Sequence, residues 1–341
     1  MKRCKLIVNP AAGKGAAGRK LPRLLALAEG RGLEISLALT TGPWHAAEIA
    51  RAAALDGFAV VAAAGGDGTC NEVVNGLMEA RQAGTIVPLL AVLPIGRGND
   101  FAYGLGVPRE LERAVAVLAG ESQRPIDVGR ITGGAYPAGR YFGNGVGIGF
   151  DTLVGLEAAK MKRLGGAPAY AWAALRLLVT FSGAPLVRLA HDQGELTLRA
   201  VMVSLMNGRR MGGAFHMAPA AVNDDGLLDL CAAEKTTRLQ MAGLFGRYLR
   251  GTQAASRFVT TLRSRRIVVE AIEGSLAVHA DGETICTDGG AITVECLPRQ
   301  LEVLVPSSAA FALVRQPAED PGGSKSRSRS NSRSRQNTEL G

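Results

Sequence analysis

Asp67 is a single carboxylate among the three glycines of GGDGT, residues 65–69, where an apolar run gives way to a helical pattern. The run 58–64 predicts a parallel strand that is buried on both faces. Thr69 followed by Glu72 is a capping-box pattern, so we expect the helix to start near Thr69. Asp67 then lies just before a helix N-terminus, where glycine-flanked N–H groups suit a phosphate and a second anion would need a cation in between. The alternative is a glycine-rich turn with a solvated aspartate.

Two more carboxylates follow predicted strands in the same way. Asp100 lies in PIGRGNDF, residues 94–101, after the fourth predicted strand, and Asp127 ends a fifth apolar run in PIDVG. Because the strand ends of a parallel sheet share one edge, Asp67, Asp100 and Asp127 could converge on one rim. Three neighbouring anions are costly unless a hard divalent cation neutralises them, which indicates Mg²⁺ with oxygen ligands. The alternative is that each is a separate turn or cap residue.

Other catalytic patterns are missing from the sequence. NPAAGKG, residues 9–15, also ends a predicted strand, but it lacks the glycine spacing and the Lys-Ser/Thr pair of a P-loop. The four histidines show neither metal-ligand spacing nor a Ser/His/Asp pattern, which argues against a histidine-driven hydrolase. ADGE, residues 280–283, predicts only a hairpin turn when it is taken alone.

The composition is that of a globular protein, and 341 residues are enough for two domains. We expect neither a transmembrane helix nor a signal peptide, because the apolar runs are short and the N-terminus leads directly into a strand pattern. The five cysteines are odd in number and unpaired in spacing, which predicts reduced thiols in a cytosolic protein. The net charge of +9 fits a protein that meets anionic phosphates or an anionic membrane surface.

The first third of the chain alternates strand and helix patterns, which predicts a parallel α/β sheet with ligands at the carboxyl ends of its strands. Strands are expected at 5–8, 33–39, 58–64 and 89–93, and helices at 18–28, 46–55, 69–81 and 109–118. After about Gly129 short strand-like runs dominate, with helical stretches at 156–180 and 238–250, which predicts a second, mostly antiparallel β domain. We expect the site in the cleft between the domains.

The C-terminal segment 315–341 is rich in Ser and Arg, low in complexity and self-repelling, so we expect a disordered tail. Ser-Arg repeats can bind RNA or acidic partners, but a solvated extension is favoured and no specific nucleic acid is expected.

Taken together, the motifs resemble those of the bacterial diacylglycerol kinase and lipid kinase family, whose catalytic domain is related to eukaryotic diacylglycerol and sphingosine kinases. The resemblance covers roughly residues 5–306. Its carriers are NPAAGKG, the Thr40 region, GGDGTCNEVVNG, LPIGRGNDFA, PIDVGR, YFGNGVGIGFD, MNGRRMGGAFHMAPAAVNDDGLLDL and ADGE. GGDGT alone is shared with NAD kinases, but the set is specific in this order and spacing.

The resemblance implies two domains with ATP in the cleft between them. Residues 1–130 would form a Rossmann-like parallel α/β nucleotide-binding domain, with 304–314 as a candidate segment for completing it. Residues 131–303 would form an antiparallel β-sandwich domain that receives the lipid substrate. The sequence departs from the family at two positions, because Arg97 stands where Thr is usual and Trp44 replaces a common Gly.

The resemblance also assigns roles to individual residues. The phosphates of ATP would be held by Asn9, Thr40, Gly65, Gly66, Gly68, Thr69 and Asn99. Asp67 would ligate the catalytic Mg²⁺, with Asp100 and Asp127 tied to it through water. Asp281 matches the general base, and Glu283 the acidic residue beside it. A structural metal site in the second domain would use Asp225 with the carbonyls of Val222 and Leu227.

The expected function is that of an ATP- and Mg²⁺-dependent lipid kinase, which transfers the γ-phosphate to a lipid hydroxyl, with diacylglycerol as the first candidate. The alternatives are an NAD kinase-like phosphotransferase with a soluble acceptor, and a catalytically silent basic adaptor for membranes or RNA. We expect a cytoplasmic protein that contacts an anionic membrane surface peripherally, through apolar and basic residues near 160–178. A homodimer is left open.

Overall fold

The computed structural model describes residues 3–161, 167–180 and 183–307. The expected tail, 315–341, and part of the candidate completing segment, 308–314, lie outside the described residues, as do 162–166 of the expected membrane contact.

The first domain alternates strands and helices. These are β1 (Arg3–Val8), α1 (Ala12–Glu29), β2 (Glu34–Leu39), α2 (His45–Leu55), β3 (Val60–Gly65), α3 (Asp67–Gln82), β4 (Leu89–Pro94), α4 (Asp100–Gly104) and α5 (Leu111–Ala119). The strands are parallel in the order β2-β1-β3-β4, and every residue of β3 is buried. Buried central strands rich in Val and Ala are typical of a sheet covered by helices on both faces. The predicted parallel α/β domain is therefore confirmed.

The second domain is mostly antiparallel. It contains β5 (Gln123–Gly133), β6 (Tyr136–Phe142), β7 (Gly145–Gly149), α6 (Phe150–Ala159), α7 (Ala167–Thr180), β8 (Leu186–His191), β9 (Gly194–Met206), β10 (Leu228–Glu234), α8 (Arg238–Arg250), β11 (Val259–Ser264), β12 (Arg266–Glu273), β13 (Leu276–Ala280), β14 (Glu283–Gly289) and β15 (Ala291–Leu304), with a short 3₁₀ turn at Gln253–Ala255. Two further apolar clusters lie at these helices. One is rich in methionine and includes residues of α8, and the other is formed mainly by α6 and α7. The antiparallel, sandwich-like character predicted for this domain is confirmed.

The last strand joins the two domains. The first half of β15 pairs antiparallel with β12, and β5 follows its length in an antiparallel ladder. Near its end, Val303 pairs in parallel with Leu90 of β4. Leu301, Val303 and Leu304 are buried in the core of the first domain. The two domains therefore share one continuous hydrogen-bonded sheet, which fixes the cleft between them.

The expected start of α3 near Thr69 is wrong, because the helix begins at Asp67 with Gly66 as its N-cap. The predicted capping box does not form. Thr69 Oγ1 instead accepts a hydrogen bond from Asn9, and a Glu72 carboxylate oxygen accepts one from the main-chain N–H of Ala46. Both side chains of the predicted capping box are hydrogen-bonded to residues that are distant in the chain, so no side chain caps the first N–H groups of α3.

The helix expected over 156–180 is divided into α6 and α7, with 162–166 outside the described residues. The helix expected at 238–250 is confirmed with the same bounds, and Thr237 and Gln240 form a complete capping box there. No helix in the described ranges is long and apolar enough to cross a bilayer. All five cysteines are free thiols.

Candidate active site

The loops after β1, β3 and β4 meet at one edge of the parallel sheet. The Asn9 side-chain amide donates to Thr69 Oγ1 at 3.2 Å, which ties the first loop to the start of α3. A Cβ atom at Gly96 would collide with the Cα of Gly66, so the loops after β3 and β4 approach this closely only as glycines. We use the name glycine cradle for Gly66 and Gly96 in these two loops together with Gly68 in the first turn of α3. Open N–H groups at a helix N-terminus favour an anion there.

Asp67 lies at the centre of the glycine cradle. Its Oδ2 accepts the main-chain N–H of Asn99 at 2.7 Å, and its Oδ1 accepts that of Phe101 at 3.1 Å. A carboxylate has about four lone-pair sites, so roughly two stay available. Burial, followed by the charge of Asp100, raises the pKa of Asp67 to about 6. A cation beside Asp67 would favour the ionised form.

Asp100 approaches Asp67 but is already paired. Arg210 of the second domain donates from Nε to its Oδ1 at 2.7 Å, and the main-chain N–H of Gly213 lies 2.9 Å from its Oδ2. This pair is largely buried and crosses the cleft. Asp100 therefore links the domains as well as carrying charge near Asp67.

Asp127 lies apart from the other two carboxylates. Its fully buried side chain accepts the main-chain N–H groups of Gly226 at 2.6 Å and of Arg299 at 2.8 Å. It thus contacts the loop of the candidate structural metal site, where Arg263 approaches Asp225 at 3.5 Å. The structure brings Asp67 and Asp100 together and places Asp127 against this other loop. No cluster of three His, Cys, Asp or Glu side chains arranged for a metal occurs in the described part of the chain.

Asp281 occupies the turn between β13 and β14 with a left-handed φ of 48°. Its Oδ2 accepts from the Gly143 N–H at 2.8 Å and from Asn71 Nδ2 at 3.0 Å. Its Oδ1 accepts from the N–H groups of Asn144 at 3.0 Å and Gly145 at 2.9 Å. Burial raises the pKa of Asp281, and these hydrogen bonds oppose the rise. All four lone-pair sites of this carboxylate are engaged, in contrast to Asp67.

A cavity of about 1130 Å³ connects these groups. Its polar end is the glycine cradle with Asp67, Asp100 and Asp281. Its other end, which we call the apolar limb, runs between α6, α7 and α8. The apolar limb is lined by Phe150, Val154, Ala174, Leu178, Met202, Met217, Leu244 and Phe245. Sequence reasoning expected a cleft but missed this limb, since its lining combines α6 and α7 with β9, the loop that carries Met217, and α8, which lie at different places in the chain.

The candidate residues divide according to this cavity. Those that line it are Asn9, Gly66, Gly68, Thr69, Asp67, Asp100 and Asp281. Those outside its lining are Thr40, Gly65, Asn99, Asp127, Val222, Asp225, Leu227 and Glu283. Glu283 is nevertheless close, because a Cβ built on Gly68 would lie 3.8 Å from its Oε1. Asn99 supports the cradle with its side chain, which exchanges hydrogen bonds of 2.9 and 3.0 Å with the main chain of Gly96.

His279 and Asp151 form a pair in the cavity wall that sequence reasoning missed. Nε2 of His279 lies 3.5 Å from Oδ1 of Asp151, and the absence of a side chain at Gly147 leaves room for both. Burial lowers the pKa of His279, but the charge and hydrogen bond of Asp151 and the charge of Asp281 outweigh it and raise the pKa. Asp151 ends the motif YFGNGVGIGFD and His279 directly precedes ADGE, but the two motifs are far apart in the chain, so no local signal joins the two residues.

Comparisons with known proteins match both domains. The family model described as the diacylglycerol kinase catalytic domain matches residues 3–131, and that of the YegS C-terminal NAD kinase beta sandwich-like domain matches 144–305. The diacylglycerol kinase of Bacillus subtilis (strain 168) is 33% identical over 322 residues, which cover 92% of this chain and 99% of that protein. That of Mycobacterium tuberculosis (strain CDC 1551 / Oshkosh) is 30% identical over 302 residues, covering 88% and 94%.

A crystal structure of a diacylglycerol kinase from Bacillus anthracis str. Sterne shares the fold, with a TM-score of 0.68, 24% identity, and coverage of 90% of this chain and 97% of that one. The conserved order of domains and the identity over nearly the whole chain leave one assignment. The chain belongs to the diacylglycerol kinase and lipid kinase family and is a diacylglycerol kinase-like enzyme.

Proposed function

We propose that the enzyme transfers the γ-phosphate of ATP to the hydroxyl of a membrane lipid, with diacylglycerol as the first acceptor, in a Mg²⁺-dependent reaction. The observation that carries this proposal is the single cavity that joins the glycine cradle to the apolar limb. A phosphoryl donor and an acyl chain need these two environments, with the acceptor hydroxyl where they meet. The printed names of the relatives support diacylglycerol as that acceptor.

The phosphates of ATP would lie on the glycine cradle, against Gly66, Gly68 and the N-terminus of α3. Asp67 fits a Mg²⁺ ligand, because its oxygens are hard donors and only two of their lone-pair sites are used. A bound Mg²⁺ would neutralise charge on the phosphates during transfer. Phosphate oxygens and water would complete its shell, as is usual for this ion.

Asp281 is the proposed general base, with Glu283 beside it. A base must have a free lone pair to accept the hydroxyl proton, so one of the four donors on Asp281 has to withdraw. Three of these donors are main-chain N–H groups of residues 143–145, whereas the fourth is the Asn71 side chain from the first domain. Asn71 is therefore the donor that a change in the cleft could remove.

Membrane contact is proposed to occur beside the apolar limb. On α7 the side chains of Trp172 and Leu175 are 49% and 63% exposed, and on α8 that of Leu239 is 84% exposed. Arg238, next to Leu239, and Arg250, at the other end of α8, supply positive charge. Exposed apolar groups with nearby arginines suit peripheral binding to an anionic surface, and a cytoplasmic protein with this surface would meet its lipid there.

The two alternative functions explain the lining of the cavity less well than a lipid kinase does. An NAD kinase-like enzyme with a soluble acceptor has no use for the apolar limb. A silent adaptor has no use for a carboxylate with open lone-pair sites in a glycine cradle.

A panel of acceptors in mixed micelles with labelled ATP tests the proposal. The panel contains diacylglycerol, a sphingoid base, ceramide, phosphatidylglycerol and a polyprenol, with NAD⁺ as the soluble acceptor. We expect labelled phosphate on diacylglycerol and none on NAD⁺. Transfer to NAD⁺ alone, or to no acceptor, would refute the proposed function.

A further inference from the structure

Arg140 on β6 is a buried cation, with only 3% of its surface exposed. Its guanidinium donates to two neutral groups, the Tyr136 hydroxyl at 2.8 Å and Asn71 Oδ1 at 2.7 Å. Its Nε has no hydrogen-bond partner within the described residues. Burying a charge beside neutral partners is costly, so a specific arrangement must compensate it.

Two aromatic rings provide part of that compensation. The Arg140 guanidinium carbon lies 4.3 Å from the ring centre of Trp44 and 5.0 Å from that of Tyr136. Such contacts between a cation and a ring are stronger when they are shielded from water. Trp44 adopts a left-handed backbone with φ 65°, which is strained for a bulky residue. The contact between this ring and the guanidinium offsets part of the cost of the strained backbone.

Asn71 passes the effect of Arg140 to Asp281. Its Oδ1 accepts from Arg140, while its Nδ2 donates to Asp281 Oδ2 at 3.0 Å and to the Tyr141 carbonyl at 3.1 Å. An arginine can only donate, so Arg140 requires the amide oxygen on its own side. Asn75 Nδ2 also donates to this oxygen, at the longer distance of 3.3 Å, so Arg140 is the stronger of two donors that hold the amide nitrogen towards Asp281.

We propose that Arg140, covered by Trp44, is a positioning residue that acts through Asn71 to aim the Asp281 carboxylate at the acceptor hydroxyl. This inference rests on the proposed function, in which Asp281 is the base. The Asn71 bond is the one among the four on Asp281 that comes from a side chain and from the other domain. Asn71 therefore keeps Asp281 Oδ2 in place until the acceptor hydroxyl replaces this hydrogen bond. Without Arg140 the amide could turn its oxygen towards the carboxylate, and two acceptors facing each other would displace Asp281.

The test compares Arg140→Met with Arg140→Lys in the full chain. The Met side chain keeps an apolar stem but has no donor, so kcat on the accepted lipid should fall about 10- to 100-fold, as expected for a misplaced catalytic group. KM for ATP should stay within about twofold, since Arg140 is not part of the cavity lining. The Lys variant keeps one donor for Asn71 Oδ1 and should recover part of the lost kcat.

A second pair keeps the test decisive where Arg140→Met fails to fold. Trp44→Gly relieves the backbone strain but removes the ring, whereas Trp44→Phe keeps a ring. We expect kcat to be lower for Trp44→Gly than for Trp44→Phe, with both folded by circular dichroism. Arg188→Met, which breaks an exposed pair with Glu270 far from the cavity, is the matched control and should keep wild-type kcat.

The outcomes separate this inference from the proposed function. Wild-type kcat in Arg140→Met and Trp44→Gly, or losses that merely follow the folded fraction, would overturn the inference while the kinase assignment stands. A wild-type enzyme that phosphorylates no lipid would overturn the proposed function and, with it, this role of Arg140.

Discussion

The side-chain amide of Asn71 donates a 3.0 Å hydrogen bond to Asp281, and this bond connects α3 of the first domain to the β13–β14 turn of the second. Three main-chain N–H groups complete the set of donors on the carboxylate. Asp281 therefore links the two domains across the cleft, in addition to its proposed catalytic role. The two roles can be distinguished, because one concerns kcat and the other concerns the free energy of unfolding.

Replacing Asp281 by Asn should affect both quantities. An amide cannot accept the hydroxyl proton, so we expect kcat to fall by ~10²–10⁴-fold. The Asn NH₂ group would also face main-chain N–H donors, which should lower the free energy of unfolding by about 1–3 kcal/mol. The left-handed backbone itself tolerates Asn. Initial rates on micellar lipid and thermal unfolding give the two numbers.

Asp192→Asn provides a control for this substitution. Asp192 also accepts a main-chain N–H, that of Arg265 at 2.6 Å, but it lies in the exposed turn between β8 and β9. Its replacement should change stability without changing kcat. Near-normal lipid phosphorylation by folded Asp281→Asn would contradict the assignment of the base.

Asp67→Ala should abolish Mg²⁺-dependent transfer, because phosphate charge would lose its neutralising bridge. It also removes the acceptor for the N–H groups of Asn99 and Phe101 at the start of α4. Asp225→Ala, outside the cavity lining, should instead remove any rise in the unfolding temperature that Mg²⁺ produces, with a smaller effect on turnover. Titration of activity and of unfolding temperature with Mg²⁺ separates the two sites. Unchanged transfer by Asp67→Ala would exclude its role as the metal ligand.

The periodic patterns in the sequence predicted most of the elements. Residues 238–250 form a helix with the expected bounds, because apolar spacing and a local capping box agree there. The same capping pattern at Thr69 and Glu72 does not form a capping box. The folded chain brings Asn9 and Ala46 next to these two side chains, and hydrogen bonds to them replace the capping bonds. A local pattern cannot weigh partners that only the tertiary fold brings near.

The same limit applies to the carboxylates. Asp67 and Asp100 follow β3 and β4, which are neighbouring parallel strands, so their meeting could be predicted from the βαβ order alone. Asp127 lies within β5, which is antiparallel to β15, so the rule for parallel strand ends does not apply to it. The apolar limb and the pair of His279 with Asp151 depend on contacts between distant elements and have no local signature.

The pair of His279 with Asp151 should make stability depend on pH. The folded-state pKa of His279 is raised above its usual value of 6.5, so the folded protein binds this proton more tightly than the unfolded chain. The resulting stability is fully present below about pH 6.5 and is lost as the pH rises through the folded-state pKa. Thermal unfolding between pH 6 and 8 should show a decline that His279→Gln reduces. An identical decline in the variant would contradict this linkage.

Filling the apolar limb should impair long acyl chains selectively. Ala174 on α7 is buried and lines this limb, so the larger side chain of Ala174→Leu would fill part of the space that the acyl chain is proposed to occupy. We expect kcat/KM for a long-chain diacylglycerol to fall about 10- to 100-fold, in the range for a few misplaced methylene groups. A short-chain acceptor and the Kd for ATP, measured by calorimetry, should change little, because the glycine cradle lies at the other end of the cavity. Ala52→Leu, on an exposed face of α2, controls for the added side chain. Equal losses for short and long acceptors would show that the limb does not receive the acyl chain.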